Sequence, residues 1–367
     1  MGTVSIAKTT NGIKPALIQA LNLIGGLNRF VAANDRIMLK PNLNGTEGLT
    51  DISLFESLIQ LLSDLGAKNV IIAESTFGNA DMTDMCFLKS GYAELAKKYT
   101  IPLINLNRSQ YIEKEVARPL VLKKIRIAKE VFEVDKIINV PIMKVHYATG
   151  VTLSLKNMKG LLVGEEKRRF HEVGLDKAIV DLNTTVEPAL NIVDSIHCME
   201  RMGPRGGDRV DLDMILAGED AAEVDYVGSQ IMSYSLEEVK HLKYYIEQHD
   251  VDVNEIMIAG ESLEKVKRQF KKVQMDTLIP GNVHIHEKDA CSACMNALLL
   301  SLRFLDKPSR DNVNVYLGSK VDIENVNAEG YKVAFGNCCV YGMGFNAHVK
   351  GCPPYPFDLK RVLEEHE

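Results

Sequence analysis

The chain has 367 residues, 46% of them apolar and 25% charged, and its 43 Lys and Arg against 49 Asp and Glu leave a net charge of −6. That is the make-up of a globular protein of about two domains at roughly 150 residues each, and it excludes disordered, collagen-like and disulfide-dense chains. With no basic field to attract phosphate backbones, nucleic acid is not an expected partner.

The predicted elements alternate from the start. Residues 36–43 read as a buried strand that stops at Pro41-Asn42, and residues 52–66 place Leu54, Leu58, Leu61, Leu62 and Leu65 at helical spacing before Gly66. A strand over 69–74 follows, then a helix over roughly 85–98 and strands over 101–106 and 135–141. Residues 150–210 read as polar and loop-rich. Beyond them come a strand over 213–218 and helices over 221–233, 236–245, 263–272 and 292–305. Short strands over 314–317 and 333–335 and a closing helix over 357–365 complete the series. The alternation predicts an α/β fold: a mostly parallel sheet flanked by helices, with a smaller C-terminal α+β module carrying the cysteines. A shift in composition near 275–290 places the boundary, giving an α/β domain over 1–275 and a cysteine-containing module over 276–367. In parallel sheets ligands bind at the carboxyl ends of the strands, which here carry Lys40-Pro41-Asn42, Glu74-Ser75-Thr76 and Lys144-Val145-His146.

Apolar runs such as Ala297-Leu298-Leu299-Leu300 fall far short of the ~20 residues of a membrane span. Residues 1–8 lack the layout of a signal peptide. The expectation is a cytoplasmic protein without membrane contact, whose 7 cysteines are thiols, metal ligands or redox groups rather than disulfides.

Cys86 and Cys198 stand alone in apolar surroundings and read as small core hydrophobes. The other five, at 291, 294, 338, 339 and 352, crowd the tail. Cys291 and Cys294 form a C-x-x-C pair where a loop is expected to enter a helix. Cys352 lies in Gly351-Cys352-Pro353-Pro354-Tyr355-Pro356, where the prolines stiffen the loop and Gly351 lets the backbone pass close to a ligand. Four thiolates suit a zinc ion or an iron–sulfur cluster. Zinc ribbons usually pair two C-x-x-C knuckles, whereas Cys followed by Pro is frequent at cluster ligands, so a 4Fe-4S cluster on Cys291, Cys294, Cys338 and Cys352 is the leading expectation. Zinc and dithiol redox chemistry are the alternatives. Cys339 is the spare, because neighbours in a strand point to opposite sides, although ligation through both Cys338 and Cys339 stays open. His348 is a weaker ligand candidate.

The segment 141–171 carries Lys144, Lys156, Lys159, Lys167, Arg168 and Arg169 with His146 and His171, against only Glu165 and Glu166. In an acidic chain this local excess of cations suits an anionic small molecule. Lys40, Asn42, Lys156, Asn157, Arg169 and Arg205 are the candidate ligand-binding residues. Lys144, His146 and His171 are the candidate catalytic ones, the imidazoles as proton carriers. Asp194 and Asp225 are candidate carboxylate bases or metal ligands, Asp225 equally a buried partner of a lysine. Gly203-Pro204-Arg205-Gly206-Gly207 lacks the pattern of a nucleotide loop.

Several motifs in fixed order resemble the family called domain of unknown function 362. They are Lys40-Pro41-Asn42, Pro141-x-x-Lys144-x-His146, Thr152-x-Ser154-Leu155-Lys156-Asn157-x-Lys159-Gly160, Arg169-Phe170-His171, Val193-Asp194, Gly203-Pro204-x-Gly206-Gly207 and Leu216-Ala217-Gly218-x-Asp220-x-x-x-x-Asp225. The resemblance spans roughly 36–235 and implies an iron–sulfur protein without naming a substrate. The C-x-x-C-x-x-C-x-x-x-C-P run of a ferredoxin-like module is absent. The short Gly351–Pro356 string resembles the terminal cluster ligand of the small subunits of NADH:quinone oxidoreductase and nickel–iron hydrogenases. These readings together predict a redox or Lewis-acid iron–sulfur enzyme acting on an anionic small molecule. The alternatives are an electron carrier or cluster-holding accessory protein docking on a redox protein partner, and a zinc-stabilised binding protein.

Overall fold

The computed structural model describes residues 2–305, 311–321, 329–339, 342 and 344–364, the side chains of 275 and 276 excepted. The chain divides into two compact units, one reaching Val273 and the other beginning at Gln274.

In the first unit, β1 (Thr3–Lys8), α1 (Ile13–Leu23), β2 (Arg36–Pro41), α2 (Ile52–Asp64) and β3 (Asn69–Glu74) are followed by α3 (Ala80–Lys89), α4 (Tyr92–Tyr99) and β4 (Leu103–Asn105). A hairpin, β5 (Tyr111–Glu115) with β6 (Lys124–Ala128), stands apart from the main sheet. Then come β7 (Lys136–Val140), β8 (Ile142–His146), β9 (Gly150–Thr152), α5 (Ser154–Asn157), α6 (Glu166–Val173) and α7 (Leu175–Thr185). The unit closes with β10 (Leu190–Glu200), β11 (Asp208–Gly218), α8 (Ala221–Ile231), α9 (Lys240–His249), β12 (Met257–Gly260) and α10 (Leu263–Val266).

The sheet runs β12-β1-β11-β10-β7-β2-β3-β4, with β8 and β9 attached to β10. From β10 across to β4 every pairing is parallel, while β11 is antiparallel to both its neighbours. The strands are apolar on both faces because both are covered. Ile37, Leu39, Ile138 and Ile192 face the core that contains α1 and α2. Met38, Ile137 and Val193 face the opposite core with α7 and α8. α2 is capped by Asp51, which accepts from the Ser53 and Leu54 amides at 2.7 and 3.2 Å.

Four expectations are corrected. The single helix over 85–98 is two, divided at Gly91, whose positive φ of 85° a continuous helix does not accept. The loop-rich reading of 150–210 fails, since that stretch holds α5, α6, α7 and the eleven-residue β10. Polar residues there misled because they line a buried site rather than solvent. The helix over 263–272 stops at Val266, beyond which Arg268 and Phe270 donate their amides to the Ile231 and Met232 carbonyls. The helix over 236–245 begins with a 3₁₀ turn and runs on to His249.

The second unit begins with α11 (Met275–Leu278) and contains β13 (Val283–Glu287), α12 (Ser292–Arg303), β14 (Val313–Leu317), β15 (Tyr331–Phe335), β16 (Ala347–Val349) and α13 (Pro356–Glu364). The closing helix was expected to reach residue 365, which lies outside the described residues. The four strands form one sheet in chain order with every pairing parallel. Leu298 and Leu302 of α12 and Leu359 and Leu363 of α13 cover one face on Val313, Val315 and Val333.

Candidate functional site

The parallel strands of the first unit deliver a buried set of cations to their carboxyl edge. At the end of β2, Lys40 is fully buried and reaches Glu74, the last residue of β3, at 2.6 Å. Burial pushes the Lys40 amine down and the Glu74 carboxyl up, and each partner offsets the other's shift. Gly160 passes so close that a Cβ there would lie 1.8 Å from Glu74 Oε1. Lys144, on β8, donates to Asn42 Oδ1 at 2.9 Å and to the Gly48 carbonyl at 2.8 Å. Both acceptors are neutral. Burial, then the charges of Lys156 and Arg205, hold its pKa well below the ordinary lysine range. Lys156 is brought down to about 7 by burial, with Asp176 pulling the other way and Lys40 adding to the fall. Lys167 donates to the Thr76 carbonyl and Asn107 Oδ1, both at 2.9 Å, and burial takes it to about 7 as well.

His146 is buried at the end of β8. Its Nδ1 accepts the Ala148 amide at 3.2 Å, so the neutral ring carries its proton on Nε2. Burial, then Lys156, His171, Lys144 and Lys159, keep that ring neutral far below its usual titration. His171 is neutral for the same reason, through burial and the charges of Lys159 and Lys156. Its Nε2 contacts Lys159 Nζ, and its ring meets Phe77 edge-on at 5.1 Å. Lys40, Lys144, His146, Lys156, Lys159, His171 and Arg205 thus share one electrostatic neighbourhood.

A row of amides supports it. Asn42 donates to Asn157 Oδ1 at 2.8 Å, Asn157 to Asn139 Oδ1 at 2.8 Å, Asn139 to Asn191 Oδ1 at 2.9 Å, and Asn191 to the Glu219 carbonyl at 2.9 Å. Asn42 and Asn157, expected to bind ligand, have their amides engaged in holding Lys144. Arg205 anchors the 42–50 loop through the Asn44 carbonyl at 2.9 Å and Asn44 Oδ1 at 3.0 Å. Arg169 does not join the cluster: it bonds Glu166 and the Lys124 carbonyl on the outer side of α6. Asp225 accepts the Ser154 and Leu155 amides at 2.6 and 2.9 Å and so pins α5, and among the described residues it pairs with no lysine. Asp194 accepts the Asp51 and Ile196 amides at 2.6 and 3.0 Å. Burial raises both carboxyls to about 7. Sequence reasoning passed over Asn139 and Asn191. Their signal was an Asn set inside an apolar strand.

In the second unit, the loops that follow the carboxyl ends of β13, β15 and β16 lead to the tail cysteines: Cys291 is the N-cap of α12 with Cys294 in its first turn, and Cys338 and Cys352 lie in the other two loops. Parallel pairing puts those loops on one edge of the sheet. Cys294 hydrogen-bonds with Cys291 and feels the Cys352 and Cys338 thiols, which together with burial push it far above the usual thiol range. Gly336 makes room: a Cβ there would come within 3.3 Å of Cys294 Sγ. Cys339 points away, packed with Tyr316, Ala334 and Phe345. His348 Nε2 donates to the Gly336 carbonyl at 3.1 Å. Among the described residues no group of three or more His, Cys, Asp or Glu is arranged to hold a metal ion as it stands. What the fold does bring to one end of this sheet is the donor type of a thiolate-bound centre, four cysteines with a glycine beside one of them. Cys86 and Cys198 are buried in the first unit's cores.

Among the described residues no helix is long and apolar enough to cross a membrane. The chain is 28% identical over 223 residues to the thylakoid-associated protein sll1697 of Synechocystis sp., covering 58% of this chain and 67% of that one. Among solved structures it is similar to the lactate racemase apoprotein of Thermoanaerobacterium thermosaccharolyticum, with a TM-score of 0.40, 12% identity, and coverage of 86% of this chain and 69% of that one. The residues that build the cationic site lie within the match of the model for the domain of unknown function DUF362, which takes in residues 37–230, and the chain belongs to that family.

Proposed function

We propose that this protein is a cytoplasmic iron–sulfur enzyme whose first unit binds an anionic small molecule and whose second unit holds one 4Fe-4S cluster on Cys291, Cys294, Cys338 and Cys352. The observation that supports the reading is that the segments following β13, β15 and β16 bring all four cysteines to one end of a parallel sheet, with Cys291, Cys338 and Cys352 each acting on the Cys294 thiol. A cluster bound there would supply one-electron transfer. In the first unit Lys144, Lys156 and Arg205 attract the anion into a site with little water. The imidazoles of His146 and His171, neutral at pH 7, accept and return protons. The test is iron and acid-labile sulfide content with an EPR spectrum of anaerobic, reduced protein. Four irons per chain and a cluster signal are expected, both lost in Cys352→Ala. A colourless protein holding one zinc overturns the reading.

One observation favours a non-enzymatic electron carrier. Exposed Tyr355 and Phe357 sit beside Cys352 in sequence, and the Phe357 ring lies 5.5 Å from Tyr355 and 5.7 Å from exposed Phe304. Such an aromatic patch suits a redox protein partner. Substituting Lys144 and His146 separates the two: a carrier keeps reducing its partner, whereas an enzyme loses turnover.

A further inference from the structure

Four of the buried or half-buried lysines in the first unit already have partners: Lys40 has Glu74, Lys144 has Asn42 and Gly48, Lys159 has His171, and Lys167 has Thr76 and Asn107. Lys156 makes no hydrogen bond or ion pair among the described residues, and it keeps partial exposure. Its backbone is held firmly. Asp225 grips the start of α5, and Asn183 donates to the Leu155 carbonyl at 2.9 Å. Among the described residues, the charges that act between this amine and its surroundings are those of Lys40, Lys144, His146, His171 and the carboxylate of Asp176. Thr152 Oγ1, on the residue paired with Lys144 across β8 and β9, is buried without a hydrogen-bond partner among the described residues, while Asp176 Oδ1 lies 3.4 Å from His241 Nδ1. A buried hydroxyl and a half-buried amine left without partners in this cationic cluster are groups that a polar ligand would satisfy.

We propose that Lys156 is a nucleophile that condenses with the carbonyl group of a small anionic aldehyde or 2-oxo acid to form an imine. The inference rests on the anion-binding reading of this site and names its substrate class. An amine crowded by cations and removed from water sheds its proton, which leaves the lone pair free. That lone pair attacks the carbonyl carbon while the C=O π bond opens, and one of the two nitrogen protons passes by way of a neighbouring imidazole to that oxygen. The hydroxyl of the carbinolamine then leaves as water with the second nitrogen proton, relayed by the same imidazole, as C=N forms. Nothing is oxidised or reduced. The carboxylate or phosphate of the substrate is attracted by Arg205 and by the third donor of Lys144, two of which are already in use.

The test uses the full-length protein, prepared anaerobically, with glyoxylate, pyruvate or glycolaldehyde phosphate as probes and cyanoborohydride as trap. Peptide mass spectrometry locates the adduct, and calorimetry with inorganic phosphate reads the anion site alone. The expected result is close to one adduct per chain at Lys156, at least tenfold above exposed Lys68 and Lys97, and suppressed by phosphate. Trapping by glyoxylate and pyruvate but not by glycolaldehyde phosphate would assign a 2-oxo acid, and the converse a phosphorylated aldehyde. Lys156→Arg, with folding checked by circular dichroism, loses the adduct. Phosphate binding without preference for Lys156 overturns the imine and leaves the anion site standing. If neither phosphate nor any probe binds, both fail. Iron content is measured on the same sample and reads the cluster independently.

Discussion

Lys40 and Glu74 show how costly the cationic site is to build. A buried ion pair contributes little net stability, but removing one partner leaves the other charged and dry. Lys40→Met is therefore expected to destabilise the fold by about 3–5 kcal/mol in urea unfolding. The double variant Lys40→Met with Glu74→Leu should recover most of that loss. Lys156 makes the site sensitive to pH. With its pKa lowered from 10.5 to about 7, the amine is already charged below pH 7 and neutral above it. An anion favours the ammonium form, so binding above pH 7 must take up a proton. Phosphate affinity should be flat from pH 6 to 7 and then fall by up to about tenfold per unit. Calorimetry across pH 6–9 checks this, and an affinity that rises with pH would contradict the assignment. The sequence showed this cluster as a run of cations after an apolar strand. It did not reveal that Arg169 turns outward, because a helical position facing Glu166 looks the same on paper as one facing the site.

At the scale of elements, the strand ends were the most legible feature. Pro41 and Pro141 terminate ladders because they lack an amide proton, and the chemistry follows directly after them. Less legible was the work of Asp225, which lies on α8 yet fixes the start of α5. Asp225→Ala leaves the Ser154 and Leu155 amides buried and unpaired, an expected loss of about 2–4 kcal/mol in denaturant unfolding. Gly203 follows a similar logic, since a Cβ there would lie 1.7 Å from the Val145 carbonyl oxygen. Gly203→Ala should displace the end of β8 and weaken phosphate binding along with stability. Neither contact can be read from local sequence, because each joins residues more than fifty positions apart.

Across the whole molecule, the sequence carried the α/β class and strands such as β2, β3, β7 and β14, since periodicity and turn residues are local properties, but it passed over others, β1, β10 and β13 among them. The antiparallel placement of β11 within a mostly parallel sheet escaped it, because pairing direction depends on distant partners. The tail cysteines were legible as a group. Their arrangement gives a further contrast: Cys339→Ala, which trims a thiol packed against Tyr316 and Phe345, should keep its iron, while Cys338→Ala should lose it. Metal analysis of the two variants decides between them. Finally, each carboxamide from Asn42 to Asn191 hands its hydrogen onward in the same sense, away from the ammonium of Lys144. Such a one-way file has no slack for hydrolytic ageing. Conversion of any one member to aspartate would set oxygen against oxygen and reverse the polarity of every link downstream. Burial, however, withholds Asn139, Asn157 and Asn191 from the succinimide chemistry that ages exposed Asn-Gly pairs such as Asn11-Gly12, so old molecules should change at that surface pair well before the file is touched.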